Sequence, residues 1–238
     1  MTHGEMASRL AIPKSSLTPL LRNLARRGYI EQLPHSLEFR LGEGAYALAR
    51  RGARSRELVR LSEPWLQRMM RAGGESVGLS VLRGDMAERI ASAESSNAVL
   101  YSTHVGVLQP LYASSAGKVL LAWMPAAERE AYLRRIKLHP RTEHTIRSTA
   151  VLRRQLQAVR QEGVAWSLGE FTAGIVGIGV PVLDAHGRAM AAVSVALPAS
   201  RLDEARKKKL MDTLRSTAHG IARAVESAEE PPRESVHI

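Results

Sequence analysis

Apolar residues recur at helical spacing twice near the start of the chain. Met6, Ala7 and Leu10 fall at i, i+1 and i+4. Leu17, Leu20, Leu21 and Leu24 fall at i, i+3, i+4 and i+7, the stripe by which an amphipathic helix packs on a core. Ala11-Ile12 begins a turn between them. Pro13 suits the first position of the second helix, where its missing N–H has no helical partner. Ser15, Thr18, Arg22 and Arg26 make the face opposite the leucines. Gly28 caps the helix in the left-handed conformation. Strand Tyr29–Gln32, turn Pro34-His35-Ser36 and strand Leu37–Leu41 follow. Helix, turn, helix and hairpin is the order of a winged helix-turn-helix, whose second helix fits the major groove of DNA. Pro19 inside that helix predicts a kink, a 3₁₀ entry or a later start. Winged helices usually place one more helix ahead of the pair, and only Met1–Glu5 precedes Met6. The first helix is therefore expected to be missing or shortened.

Beyond the hairpin, Glu43–Arg54 reads as a linker helix, weakened at its end by Gly52. Ser55–Met70 reads as another helix, with Leu58, Leu61, Trp65, Leu66 and Met69 on one face and a bend expected at Pro64. Gly73-Gly74 closes it. The period then changes to two. Val77–Leu82, Met86–Ala93 and Ala98–Thr103 predict strands, with a turn at Arg83-Gly84-Asp85. Ser114–Trp123, Pro125–Ile136 and Val151–Gln161 predict helices. Val164–Leu168, Gly174–Leu183 and Ala189–Leu197 predict strands, the last two joined by a hairpin at Asp184–Arg188. Asp203–Ala228 predicts a closing helix. Strands that surround and alternate with helices give an α+β sheet domain large enough for a ligand cavity. The expected division is a DNA-binding domain at 1–42, a linker helix at 43–56, a ligand-binding domain at 57–228 and a disordered tail at 229–238.

Charge sharpens the reading of the first segment. The chain of 238 residues carries a net charge of +11. Residues 1–56 hold ten Lys and Arg against four acids, and the other 182 residues hold 24 against 19. More than half of the excess thus lies in the first quarter, where phosphate neutralisation and counterion release would use it. Lys14, Ser15 and Ser16 fall in the first turn of the second helix, where free N–H groups also favour a phosphate. Expected DNA contacts are Lys14, Ser15, Ser16, Thr18 and Arg22, with Arg26, Arg27, His35 and Arg40 on the backbone. Cysteine is absent, which removes disulfides, thiolate metal sites and a Cys nucleophile. The apolar runs near 175–183 and 189–197 are too short to cross a bilayer as helices. No signal pattern opens the chain, so a cytoplasmic protein without membrane contact is expected.

Other candidate chemistry is thin. Lys118 follows Gly117, but the glycine four residues earlier and the hydroxyl residue after the lysine are both missing, so this is not a P-loop. His139, Glu143 and His144 have poor metal spacing. No metal and no cofactor are expected. Ser115-Ala116-Gly117 either opens a helix with Ser as its cap or presents N–H groups to a carboxylate. Gly177 and Gly179 within a strand mark close approach of a ligand or a helix. A hydrolase using Ser114, Ser115 or Ser194 with a histidine is an alternative, but no Gly-x-Ser-x-Gly elbow and no catalytic set can be assigned. A second alternative is a signalling module whose winged helix binds protein rather than DNA.

Three stretches resemble the IclR family of bacterial transcriptional regulators. They are the DNA-reading segment with Ala-Ile-Pro-Lys-Ser-Ser and Leu-Ala-Arg-Arg-Gly-Tyr-Ile, then Leu111–Ala122, then Gly163 through Gly177-Ile178-Gly179-Val180-Pro181-Val182 to Leu202. The resemblance implies a winged helix-turn-helix, a linker helix and a GAF-like effector-binding domain, in dimers often paired into tetramers. It places the effector against Tyr101, Ser115, Ala116, Gly177, Ser194 and Ala196. Two departures imply a less polar pocket than that of regulators sensing very small keto acids. After Gly163 only Glu170 remains of the family's acidic residues, and Ala196 stands where a second serine is common. The expected protein is a regulator of a catabolic operon, binding a DNA operator and a small organic acid. The effector is expected to be larger or more apolar than those keto acids.

Overall fold

The computed structural model describes residues 1–34, 36–95 and 104–229. The chain forms two compact units, Met1–Leu58 and Val59–Ile238, which divide inside one long helix.

In the first unit, α1 (His3–Leu10) starts at a capping box. The Thr2 hydroxyl accepts from the Glu5 amide and the Glu5 carboxylate accepts from that of Thr2, which satisfies two orphan donors reciprocally. Ala11 ends α1 at φ 52°, an unusual left-handed non-glycine. α2 (Lys14–Arg26) follows after two residues. Strands β1 (Ile30–Gln32) and β2 (Phe39–Leu41) form the antiparallel wing, with Ile30 opposite Leu41.

Two expectations are corrected here. Pro19 neither breaks nor delays α2, which runs unbroken through it. The bond it removes would end on the Ser15 carbonyl, and both residues are exposed, so water replaces the lost donor. The leucine stripe is buried only in part. Leu17 and Leu21 lie in the core, whereas Leu20 and Leu24 are 51% and 41% exposed.

The expected pair of helices after the wing is one helix, α3 (Glu43–Gly73). Gly52 costs an exposed helix only about 1 kcal/mol. Pro64 is spanned because its neighbours anchor the helix. Leu66 and Met69 are buried, and the Ser62 hydroxyl donates to the Val59 carbonyl at 2.9 Å.

The second unit is an α+β domain built on a six-stranded antiparallel sheet. Its strands are β3 (Val77–Arg83), β4 (Met86–Ala93), β5 (Leu108–Pro110), β6 (Ala165–Leu168), β7 (Ile175–Leu183) and β8 (Ala189–Pro198). Their order is β5-β4-β3-β8-β7-β6. The expected strand Ala98–Thr103 lies outside the described residues, and β5 was not expected. Its Pro110 suits an edge strand, where a missing N–H breaks no ladder. Helices α4 (Ser115–Trp123), α5 (Ala126–Arg135) and α6 (Thr149–Glu162) precede β6, and α7 (Glu204–Glu229) closes the chain. Helix α4 is apolar almost all round and packs on β3, β4, β6, β7 and β8. Strands β7 and β8 are buried at successive positions, so both faces of the sheet are covered. α7 packs on these same two strands. The tail beyond Glu229 lies outside the described residues.

Candidate nucleic-acid interface and ligand cavity

Helical geometry decides what α2 offers. With 3.6 residues per turn, Ser15, Pro19, Arg22 and Arg26 lie opposite buried Leu17 and Leu21. Lys14, Ser15, Ser16, Arg22 and Arg26 are all exposed. Lys14, Arg22 and Arg26 make no ion pair among the described residues. The other expected contacts are partly occupied. Thr18 donates to the Lys14 carbonyl at 2.9 Å and meets His3 Nε2 at 3.0 Å. Arg27 donates to Asn23 Oδ1 at 3.1 Å, and Arg40 pairs with Glu31 across the wing. His35 lies outside the described residues.

The hairpin β3–β4 carries the residue that matters most in the second unit. Every second position of β4 is buried, namely Ala87, Arg89, Ala91 and Ala93. An arginine therefore stands on the apolar register among alanines, 4% exposed. A β-bulge explains part of its placement: Leu79 pairs with Ala91 but Ser80 with Arg89, so Ile90 is extra. Such a bulge re-aims the side chains beside it. Glycine supplies the space. A Cβ on Gly78 would stand 1.6 Å from Arg89 Nη1 and 2.4 Å from Cζ, so the guanidinium lies across the bare backbone of β3.

The same sheet face holds two more glycines for a second reason. A Cβ on Gly177 would stand 2.9 Å from Ser115 Oγ, and one on Gly179 would stand 3.0 Å from the Ser115 carbonyl carbon. Both let the start of α4 sit against β7. The cap of that helix corrects the expectation for Ser115. Ser114 is the cap, accepting from the Gly117 amide at 3.0 Å and donating to the Pro110 carbonyl at 3.0 Å. Ser115 is the first helical residue.

A small cavity of about 30 Å³ opens between this helix start and the sheet. Arg89, Gln109, Ser115 and Ser194 line its polar part, and Phe171, Ile175 and Ala196 its apolar part. Of the expected effector contacts, Ser115, Gly177, Ser194 and Ala196 line it. Ala116 is buried in the adjoining core cluster instead, and Tyr101 lies outside the described residues. Gln109, Ser115 and Ser194 are 5–7% exposed, yet their side chains have no hydrogen-bond partner among the described residues. Their polar atoms are therefore left to the cavity, where water or a ligand can meet them. Ser167 is different: it donates to the Ala113 carbonyl at 2.7 Å. No histidine lines the cavity among the described residues, so a serine nucleophile there has no adjacent base of that kind. Arg89 and Gln109 are functional candidates that the sequence reading missed. Their signal was present in Arg89, as a cation on the buried phase of an alternating strand.

Lys118 was likewise underrated. It is fully buried, and its ammonium donates to Glu170 Oε1 at 2.6 Å, Gln155 Oε1 at 2.8 Å and the Trp166 carbonyl at 2.9 Å. Burial pushes the Lys118 ammonium below its usual range and the Glu170 carboxyl above its own, while their mutual attraction opposes both shifts. Thr142 and Thr145 donate to the carbonyls of Gly169 and Glu170, each at 2.7 Å. These bonds fasten the loop that brings Phe171 and Ile175 to the cavity. Arg141 lies 4.6 Å from the centroid of the Phe171 ring, which supports that wall by a cation–π contact.

Among the described residues no group of His, Asp and Glu could hold a metal ion, and no helix is long and apolar enough to cross a membrane.

Known proteins share this arrangement. Residues 1–34 match the IclR helix-turn-helix domain, and residues 51–223 match the C-terminal domain of the bacterial transcriptional regulator IclR. The regulator XynR of Escherichia coli is 29% identical over 224 residues, 93% of this chain and 88% of its own. The solved Thermotoga maritima IclR superposes with a TM-score of 0.68 at 26% identity, covering 94% of this chain and 91% of its own. An IclR homologue from Microbacterium hydrocarbonoxydans, solved in complex with 4-hydroxybenzoate, gives 0.67 at 26% identity over 95% and 92%. With both domains matched in order, the chain belongs to the IclR family of bacterial transcriptional regulators.

Proposed function

We propose that the protein controls a catabolic operon in answer to a small organic acid, acting as a dimer or tetramer. One observation carries the reading. Gln109, Ser115 and Ser194 line a cavity, and their side chains have no hydrogen-bond partner among the described residues, in a chain whose other unit is a helix-turn-helix. Lys14, Ser15, Ser16 and Arg22 enter the groove or hold its phosphates, and Arg26, Arg27, His35 and Arg40 meet the backbone. Two such units in one dimer read a pseudo-palindrome with half-sites about one helical turn apart. The acid shifts the balance between DNA-competent and incompetent states, by no more than its differential affinity for the two. The 4-hydroxybenzoate bound by the Microbacterium homologue supports an organic acid as the ligand.

The test is a gel shift of the full chain on its gene's own upstream region, over a salt series, with and without 4-hydroxybenzoate or 2-oxobutanoate. Retention that weakens steeply with salt and changes with one acid is the expected result. No retention even in dilute buffer overturns the reading. Ala196→Phe, which fills the apolar part of the cavity, is expected to abolish the response. An unchanged response in that folded variant moves the ligand elsewhere.

A further inference from the structure

We infer that Phe171 is the gate of the cavity: Phe171-Thr172-Ala173 form a flap that swings between two fixed posts, Glu170 and Gly174, to admit a ligand. The inference rests on the cavity being the effector site for what it admits.

Size demands that a wall move. The cavity of about 30 Å³ has room for roughly two waters, whereas sites for organic ligands commonly measure ~300–1,000 Å³. An organic acid enters only if part of the lining gives way. Most of that lining is fixed. The residues from β4, β5, β6, β7 and β8 stand in one hydrogen-bonded sheet. Ser114 and Ser115 open α4, which is buried against that sheet. Ser115 also lies so close to Gly177 and Gly179 that a Cβ on either would crowd it. Among the described lining residues, Phe171 and Thr172 alone belong neither to a strand nor to the start of α4.

The bonds around these two residues define the posts and the span. At one end, buried Lys118 donates to Glu170 Oε1 at 2.6 Å, and Thr145 donates to the Glu170 carbonyl at 2.7 Å. At the other, the Ala199 amide donates to the Gly174 carbonyl at 2.8 Å. Both post carbonyls are thereby pinned. Rotation about φ of Gly174 moves the residues ahead of it while its own carbonyl stays bonded. That φ is 73°, a value that glycine leaves and regains at little cost and other residues do not. Within the span, the Ile175 amide donates to the Thr172 carbonyl at 3.2 Å, the long end of the range for such a bond. Phe171 is half-buried, packed on the core cluster around α4, and the guanidinium of exposed Arg141 lies 4.6 Å from its ring centroid. A cation–π contact at an exposed site is weak, so it closes the flap without locking it.

The test uses the absence of cysteine from the chain, which makes one introduced thiol a clean reporter. Ser194→Cys places the thiol in the cavity, at a position 5% exposed. Val193→Cys places it one residue earlier, on the opposite and fully buried face of β8, where it reports opening of the whole domain. Ala196→Cys is a second cavity site should Ser194→Cys fail to fold. Each full-length variant is labelled with iodoacetamide and followed by intact mass. The cavity thiol is expected to react at least about 10-fold faster than Val193→Cys, because local opening is easier than global opening. Adding Gly174→Ala strains the closed φ, and is expected to speed the cavity thiol about 5- to 30-fold while leaving Val193→Cys unchanged. Phe171→Ala is expected to speed it as well. Equal labelling at the two positions overturns the inference, as does a cavity thiol indifferent to Gly174→Ala, or a parallel gain at both positions. The gel shift of the wild-type chain judges the effector reading separately. If labelling behaves as expected and neither acid alters DNA retention, the gate stands and the organic acid falls. If an acid alters retention while the cavity thiol ignores Gly174→Ala, the effector reading stands and the gate falls.

Discussion

Gly78→Ala probes how Arg89 lies across the bare backbone of β3. A Cβ at this position would stand 1.6 Å from Arg89 Nη1, 2.4 Å from Cζ and 2.6 Å from Cδ. Ordinary contact begins near 3.4 Å, so the guanidinium must retreat by about 2 Å. That distance exceeds the tolerance of a hydrogen bond, so the bonds that Arg89 makes are broken. Gly78 does not adopt a positive φ, so alanine restricts the unfolded chain and contributes ~0.4–1 kcal/mol to stability. Displacing the buried guanidinium opposes this with about 1–3 kcal/mol. The net loss is no more than about 2–3 kcal/mol by this reckoning. The assay is urea denaturation of Gly78→Ala, Arg89→Met and the double variant. If Gly78 acts through Arg89, the double variant is no less stable than Arg89→Met alone. Additive losses would refute the reasoning.

Three further outcomes follow from the geometry. Lys118→Met leaves Glu170 buried without its cation, at a cost of about 3–5 kcal/mol in urea denaturation, and Lys118→Met/Glu170→Leu recovers much of it. The pH dependence of Lys118→Met has a definite sign: burial already raises the folded pKa of Glu170 and Lys118 opposed it, so stability is present in acid and falls as pH rises through that raised value. Arg22→Ala is expected to weaken operator binding by ~1–3 kcal/mol if the side chain reaches a base edge, and unchanged affinity across a salt series removes it from the interface. Pro19→Ala restores one backbone donor to α2 and is expected to stabilise that helix by up to ~3 kcal/mol. Hydrogen exchange of the α2 amides measures the gain, and equal protection in the two proteins shows that water had already met the need of the Ser15 carbonyl.

Legibility from the sequence followed the range of the forces involved. Local signals reported themselves well. The turn around Ala11, the end of α2 near Gly28 and the hairpins at 83–85 and 184–188 are set by a few neighbouring residues, and they formed as read. Proline and glycine misled wherever tertiary contact or solvent outweighed a local cost. Pro19 loses a bond on an exposed face, and Pro64 lies between residues whose burial keeps α3 helical through it. The stripe on α2 gave the right helix and half of the right core, because periodicity states which side is apolar but not how much of it is covered.

The cavity divides along the same line. Gly177, Ser115, Ser194 and Ala196 were accessible to sequence reading because they lie in stretches that resemble a family. Arg89 lies outside those stretches, and its meaning depends on a contact between strands: a guanidinium on β4 needs a bare backbone on β3, and only the register joins Arg89 to Gly78. Alternation nevertheless held a clue. In Met86-Ala87-Glu88-Arg89-Ile90-Ala91-Ser92-Ala93, the phase shared by three alanines is buried, and an arginine occupies it. Burying a charge is costly unless it is paired, so a buried cation signals contacts made outside its own strand. Small neighbours on the same phase leave room for a long side chain rather than filling the core themselves. A cation in register with alanines therefore marks a tertiary contact more sharply than any serine in the chain does, since serines also cap helices and satisfy backbone, as Ser114 and Ser167 do here.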